Sequence, residues 1–161
     1  MIYGPDDWVG PHIRMRDIAC KCGEDCGWKR LDSEKHKRSL LFFEHVGRML
    51  DEYVGYVAIN SGLRCPSHNL AVGGSGNSAH LHRVAVDLEP DNSIQRLWHM
   101  AEAANFFSGM IYYPSKHIIH LDIHPSNRVC RGLHGPKHIQ RLGLRGGSGL
   151  YPVLEENADE D

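Results

Sequence analysis

Two histidines and one aspartate are spaced along the sequence so that they could share a metal ion. His80 follows a glycine-rich stretch, Asp87 lies in the predicted strand after it, and His120 lies in the last predicted strand. Two histidines and one carboxylate are a ligand set of catalytic zinc, because they leave the fourth position of a tetrahedron open for water. Zinc lowers the pKa of such a water to about 7, so that hydroxide is available near neutral pH. The three residues therefore predict a zinc centre suited to hydrolysis.

The spacing alone leaves a second interpretation open. The sequence holds 12 histidines, and a histidine-rich chain produces ligand-like spacings by accident. In that interpretation the three residues are unconnected polar side chains, and Arg64 is a surface arginine or an ion-pair partner of Asp87.

Three of the five cysteines lie close together near the N-terminus. Cys20, Cys22 and Cys26 indicate a local staple more than a disulfide framework of the secreted type, and Cys65 could join them. A structural zinc site, disulfide pairing and small buried thiols are the three alternatives. The pattern favours a structural pairing that includes Cys65.

Two amphipathic helices are predicted around these residues. The first begins at a cap on Asp32 or Ser33 and ends at Gly55. The second begins at a cap on Asn92 or Ser93 and continues to about Asn105. Apolar residues recur at steps of three and four in both helices, at Leu40, Phe43, Val46, Leu50 and Tyr53 in the first and at Ile94, Leu97, Trp98 and Ala101 in the second.

Four short segments have the composition of strands, at residues 56–60, 83–89, 109–113 and 118–123. In the second segment, Val84 and Val86 are predicted on one face and Asp87 on the other. The glycines between residues 72 and 78 predict a loop that frames the site. Strands mixed with two main helices favour an α+β fold with an antiparallel sheet.

Four motifs give the sequence a resemblance to a known family. They are Ser61-Gly62-Leu63-Arg64, Val72-Gly73-Gly74, Ser78-Ala79-His80 followed by Asp87, and His120-Leu121-Asp122. Over about residues 13–125, the chain resembles the M15 peptidases, specifically the M15A-like D-alanyl-D-alanine carboxypeptidase group common in bacteriophages and prophages. The segment Ile18–Gly23 is also similar to the cysteine-rich opening of that group. The resemblance implies the fold shared by the DD-peptidases and Hedgehog proteins.

The resemblance also implies the roles of individual residues. The zinc ligands of the family match His80, Asp87 and His120, while Arg64 and Ser78 match its substrate-binding positions. The planar fork of an arginine suits a substrate carboxylate. The implied activity is zinc-dependent hydrolysis of the peptide stems of bacterial peptidoglycan, by a D,D-carboxypeptidase or an endopeptidase.

The chain departs from the family pattern at two positions. Related peptidases place Glu or Asp as the base three residues before the last histidine ligand, and here that residue is His117. In a regular strand His117 points away from His120, whereas Asp122 shares its face. Both His117 and Asp122 are therefore candidate bases, and Asp122 is equally a candidate for orienting a ligand. Arg83 stands where the family has glycine, and a backbone that requires positive φ there would be distorted.

The chain is predicted to form one peptidase domain over residues 31–145, with a cysteine-containing segment over residues 1–30 packed on it and a flexible acidic tail over residues 146–161. A net charge of -2 gives no general attraction to nucleic acid, and no apolar run is long enough to span a membrane. Met1–Gly10 lacks the features of a signal peptide, so the expected location is the host cytoplasm before lysis or a phage virion. The expected partner is peptidoglycan. The alternative hypothesis is a virion tail or baseplate component, in contact with other virion proteins, whose domain binds metal or peptidoglycan with little or no turnover.

Overall fold

The computed structural model of the protein describes residues 1–123, 130–134 and 139–141. Its helices are α1 (Met15–Ile18), α2 (Lys37–Asp51), α3 (Pro66–Ala71) and α4 (Ile94–Ala104). Its strands are β1 (Ile2–Tyr3), β2 (Trp8–Gly10), β3 (Ile13–Arg14), β4 (Leu31–Asp32), β5 (Val57–Ser61), β6 (Ala85–Pro90), β7 (Gly109–Tyr113), β8 (Ile118–Asp122), β9 (Cys130–His134) and β10 (Ile139–Arg141). Turns of 3-10 helix lie at Gly27–Lys29 and Pro114–Lys116. This mixture confirms the predicted α+β class.

Six strands form one sheet in the order β10-β9-β7-β8-β6-β5. Neighbouring strands are antiparallel except β7 and β9, which run parallel. The predicted antiparallel sheet is confirmed for β5 to β8, and β9 and β10 extend it beyond the predicted strands. The remaining strands form two separate pairs, β1 with β4 and β2 with β3.

The central strands give the sheet an apolar face and a polar face. Helix α4 contacts β6 and β8 and also contacts α2, so both main helices lie on the apolar side. Asp87 and His120 occupy the alternate positions of these strands and therefore project from the opposite face. The apolar face carries the fully buried side chains of Val86, Leu88, Ile119 and Leu121.

Strand β6 begins two residues later than predicted, at Ala85. Val84 therefore precedes the strand, and its predicted position on the same face as Val86 is wrong. Val84 instead packs with Ala79, Ala85 and Ile123 in a small cluster separate from the main core.

Helix α2 begins later and ends earlier than predicted. Its N-cap is His36 rather than Asp32 or Ser33. The Asp32 carboxylate instead accepts hydrogen bonds from two backbone N–H groups of the turn that precedes the helix. The helix ends at Asp51 rather than at Gly55.

Helix α4 begins where it was predicted. The Ser93 hydroxyl accepts a hydrogen bond from the backbone N–H of Arg96 at 3.2 Å, which satisfies one free donor of the first turn. Asn105 ends the helix in the left-handed conformation. The predicted apolar stripe is buried, at Ile94, Leu97, Trp98 and Ala101.

The first 30 residues contribute several side chains to the core. Ile13, Met15 and Ile18 are fully buried in the same cluster as α2. The backbone at Gly10 lies directly on this helix, because a Cβ there would be 2.4 Å from the carbonyl oxygen of Phe43. The short elements β2, β3 and α1 therefore carry side chains of the main core.

The predicted acidic tail over residues 146–161 lies outside the described residues. The longest helix of the described part is α2, with 15 residues, whereas a membrane span needs about 20 apolar residues. Within residues 1–123, 130–134 and 139–141, no helix is long and apolar enough to cross a membrane.

Candidate metal centre

His80, Asp87 and His120, here called the trio, meet on the polar face of the sheet. Asp87 on β6 and His120 on β8 are direct partners across the antiparallel pair, and His80 approaches from the loop before β6. His120 Nδ1 lies 2.8 Å from Asp87 Oδ1, and His80 Nε2 lies 3.3 Å from the same oxygen. One potential ligand atom of each residue lies within 4.8 Å of the others. The structure therefore brings the three predicted ligands together.

Each histidine of the trio is held through its other ring nitrogen. His80 Nδ1 donates to the carbonyl oxygen of Gly62 at 2.6 Å, and His120 Nε2 donates to Asp122 Oδ2 at 2.9 Å. These acceptors orient the rings and leave the remaining nitrogens directed at Asp87. Two imidazole nitrogens and a carboxylate oxygen facing one point form the donor set of a catalytic zinc, so these residues fit that metal.

Burial and hydrogen bonding set the protonation of the trio. Burial lowers the pKa of His120, but hydrogen bonds to Asp122 and Asp87 outweigh it and raise this pKa to about 9. Burial lowers the pKa of His80, against the opposing effect of Asp87. Burial also opposes ionisation of Asp87, yet hydrogen bonds from both histidines hold its pKa below the ordinary value. A metal takes histidine through an unprotonated ring nitrogen, so binding at the trio would release a proton from His120.

Gly109 on β7 makes room for the carboxylate that holds His120. Gly109 and Asp122 are direct partners across β7 and β8. A Cβ on Gly109 would lie between 2.2 and 2.6 Å from the carboxylate atoms of Asp122. Sequence reasoning missed Gly109, because a glycine in a strand indicates a close approach without identifying the neighbour.

Arg64 reaches the trio from the turn after β5. Its Nη2 donates to Asp87 Oδ2 at 2.7 Å, and its Nε donates to Ser61 Oγ at 2.9 Å. The side chains of Arg64 and Asp87 are 16% and 15% exposed, so this ion pair is largely withdrawn from water. Among the described residues, Nη1 of Arg64 has no hydrogen-bond partner. This group is therefore a free donor beside the trio.

A cavity of about 200 Å³ opens beside Arg64 and Asp87. Lys21 and His68 also line it, and neither was identified from the sequence. Lys21 Nζ donates to the carbonyl oxygen of Asn60 at 2.8 Å, which holds its ammonium at the cavity. Two larger hollows, of about 820 and 760 Å³, have no residue of the trio in their walls. Of these three hollows, the small cavity is the one that borders the trio.

Residues 11–122 match the family model described as Peptidase M15. The chain belongs to the peptidase M15 family. Peptidases of this family are zinc-dependent, so membership implies a metallopeptidase-type function. No curated protein matches the chain. The matched residues include the whole trio, Arg64 and Asp122, and the predicted family is confirmed.

Two predicted site residues of this M15 peptidase do not line the cavity beside the trio. His117 is exposed at the end of the 3-10 turn before β8, with a φ of 51°. No hydrogen bond between described residues joins it to the trio. The Ser78 hydroxyl accepts a hydrogen bond from the backbone N–H of His80 at 3.3 Å, and Ser78 does not line the cavity. The catalytic role of His117 and the substrate-binding role of Ser78 stay predictions.

Arg83, where the M15 pattern has glycine, adopts a left-handed φ of 60°. The backbone conformation that favours glycine is therefore present in this chain. With an arginine in this conformation, the ligand atoms of the trio still lie within 4.8 Å of one another. The Arg83 guanidinium lies over the ring of Trp28 at 4.2 Å, and this cation–π contact offsets part of the backbone cost.

Four cysteines form a second group of potential ligands, here called the cysteine cluster. Their sulfur atoms all lie within 4.8 Å of one another. Two of the four are buried and two are half-buried, and all four are free thiols in the structure. The cluster consists of Cys20, Cys22, Cys26 and Cys65. The predicted association of the N-terminal cysteines with Cys65 is found.

Proposed function

We propose that this chain is a zinc-dependent peptidase that hydrolyses the peptide stems of bacterial peptidoglycan, as a D,D-carboxypeptidase or an endopeptidase of phage or prophage origin. The observation that carries the proposal is the cavity in which Arg64 lies beside Asp87. It places a cation suited to carboxylate binding next to the zinc ligands. A peptide bond near a free C-terminus would then lie close to the metal.

The size and lining of the cavity support a short peptide end as its ligand. At about 200 Å³ it is smaller than typical ligand pockets, which measure roughly 300–1,000 Å³. Arg64 and Lys21 supply positive charge for a terminal carboxylate. Ala19, Gly62 and Val72 in the wall leave space for small side chains. This combination suits a terminal D-alanine.

His80, Asp87 and His120 would hold the zinc ion, which when bound supplies Lewis-acid polarisation of a carbonyl group and activation of water. The Gly62 carbonyl group and Asp122 orient the two imidazoles through their far nitrogens. Arg64 binds Asp87 Oδ2, so Oδ1 stays turned toward the histidines. These contacts support the proposal, because they orient the candidate ligand atoms toward one another.

We assign Asp122 as a positioning residue rather than as the general base. It bonds Nε2 of His120, whereas Asp87 lies at Nδ1 of the same ring. The two nitrogens point away from the ring in different directions, so the imidazole stands between Asp122 and Asp87. The Asp122 side chain is only 10% exposed, which also limits its access to a reacting water.

The first test is the zinc content of the purified protein together with its release of amino acids from peptidoglycan, with and without a chelator. We expect release that the chelator abolishes. His120→Ala should remove one zinc equivalent and abolish release, because it deletes a ligand. The matched variant His99→Ala changes an exposed histidine of α4 that pairs with Glu102, and it should retain both zinc and release. Unchanged release by His120→Ala would contradict the zinc mechanism.

One observation favours a second candidate function, a virion tail or baseplate component whose domain binds metal or peptidoglycan with little turnover. The residue three positions before the last histidine ligand is the exposed His117, where related peptidases carry a carboxylate. Stoichiometric zinc and binding to cell walls without any release of amino acids would support this function over the peptidase.

A further inference from the structure

The cysteine cluster has the dimensions of a metal site with four thiolate ligands. The sulfur atoms of Cys20 and Cys65 are 3.7 Å apart, and those of Cys22 and Cys26 are 3.4 Å apart. Zinc–sulfur bonds of about 2.3 Å at tetrahedral angles separate the sulfurs by about 3.8 Å. Since all pairs lie within 4.8 Å, small movements would place four sulfurs around one ion.

We propose that the cysteine cluster binds a structural zinc ion, in addition to the ion of the proposed catalytic centre. Each of the four thiols gives up its proton on binding and coordinates as a thiolate. Four protein ligands fill a tetrahedral zinc site and leave no open position for water or substrate. The site therefore stabilises the fold and performs no reaction.

The convergence of all four sulfurs favours a metal over two disulfides. A disulfide joins two sulfurs at about 2.05 Å and does not require a second pair close by. In this cluster the two pairs face each other within 4.8 Å. The backbone N–H of Cys65 also donates to the Cys20 sulfur at 3.4 Å, a contact that favours a thiolate acceptor.

A half-buried arginine offsets part of the negative charge of such a site. Four thiolates around Zn²⁺ carry two more negative than positive charges. Arg83 is close enough to Cys26 for a favourable electrostatic interaction with its thiolate. Its Nε is buried and has no hydrogen-bond partner in the described part of the chain. Beside four neutral thiols this partly desolvated cation would be costly, whereas a zinc thiolate site compensates it.

The cysteine cluster also braces the loop between the first two ligands of the trio. Trp28 follows Cys26 by two residues, and its Nε1 donates to the carbonyl oxygen of Leu81 at 3.0 Å. Arg83 lies over the same Trp28 ring. On the other side of the cluster, Cys65 directly follows the arginine of the cavity. A metal here would hold the irregular segments on both sides of the candidate active site.

The number of zinc ions per chain, measured on the full-length protein purified under reducing conditions, tests this proposal. We expect two equivalents for the unchanged protein and one for the double variant Cys22→Ser/Cys26→Ser. His120→Ala should also retain one equivalent, because it removes the ion of the trio and leaves the ion of the cysteine cluster. Cys130→Ser alters the fifth cysteine of the sequence and should keep both ions. The proposal would be overturned if the unchanged protein held only one equivalent, and if His120→Ala lost that ion while the double variant kept it.

A second measurement on the unchanged protein does not depend on the folding of a variant. Replacement of zinc by Co²⁺ should give the intense sulfur-to-cobalt charge-transfer absorption of a thiolate site. Cys130→Ser should keep this absorption unchanged. Its absence in reduced protein would overturn the proposal. The mass of the protein after zinc is added gives a further check. A mass lower by two hydrogens for each disulfide would also overturn the proposal, because sulfurs paired in a disulfide cannot bind zinc as thiolates.

Discussion

The trio and the cysteine cluster are both compact sets of ligands, but different kinds of backbone hold them. Asp87 and His120 face each other across two antiparallel strands. Three of the clustered cysteines lie between α1 and the following 3-10 turn, and Cys65 is the N-cap of α3. Strand pairing thus positions two of the three residues of the trio, whereas irregular segments carry all four residues of the cysteine cluster.

This difference indicates how much each set depends on its metal. A slip of one residue between β6 and β8 would expose Val86 and Leu121, so core packing enforces the register that pairs Asp87 with His120. Ordering an irregular segment costs conformational entropy that no strand pairing offsets. Metal binding to the cysteines would supply the missing free energy. The fold therefore forms the trio. A metal bound to the cysteine cluster would instead help to form the fold around the cluster.

The largest effect is expected from a change that disturbs the strand-held set. In Gly109→Ala the new methyl group would collide with the Asp122 carboxylate and push it away from His120. We expect a loss of about 1–3 kcal/mol in the free energy of unfolding, measured by urea denaturation, together with weaker zinc binding. Gly76→Ala is the control, because a Cβ there meets no atom within 4 Å. Equal stability of the two variants would show that Asp122 does not occupy this space.

Asp122→Asn keeps the shape of the side chain and removes its charge. The amide oxygen can still accept a hydrogen bond from His120 Nε2, so we expect zinc affinity to fall by about tenfold, at the lower end of the effect of such supporting residues. Competition with a metal indicator measures this affinity. Asp91→Asn, an exposed aspartate that accepts a backbone hydrogen bond, should leave the affinity unchanged. Normal zinc affinity with abolished turnover would instead make Asp122 the base.

The smallest effect is expected in the loop that links the two sets. Arg83→Gly relieves a left-handed backbone but loses the contact with Trp28, so the free energy of unfolding should change by no more than about 1 kcal/mol. Arg83→Ala loses the contact and keeps the strain, and should be less stable than Arg83→Gly by about 1–2 kcal/mol. Thermal unfolding of both variants measures the difference. Equal stability would indicate that residue 83 does not require positive φ.

The sequence predicted features that depend on short-range pattern. Alternation along a strand placed His120 and Asp122 on one face, and the structure has them so. The hydroxyl of Ser93 caps α4 as expected. The prediction of a helix N-cap at Asp32 was wrong, because an aspartate can accept hydrogen bonds from the N–H groups of a turn as well as from those of a helix. The pairing of β1 with β4 holds Asp32 in an extended strand before the helix begins.

The candidate ligands, the family and the two main helices could be read from the chain, because side-chain chemistry and periodicity are properties of neighbouring residues. The contacts that give the ligands their roles required the folded molecule. The Gly62 carbonyl group at His80, the contact of His120 with Asp87, and Lys21 at the cavity all join residues distant along the chain. Such contacts are set by strand register and core packing, which depend on all the elements together.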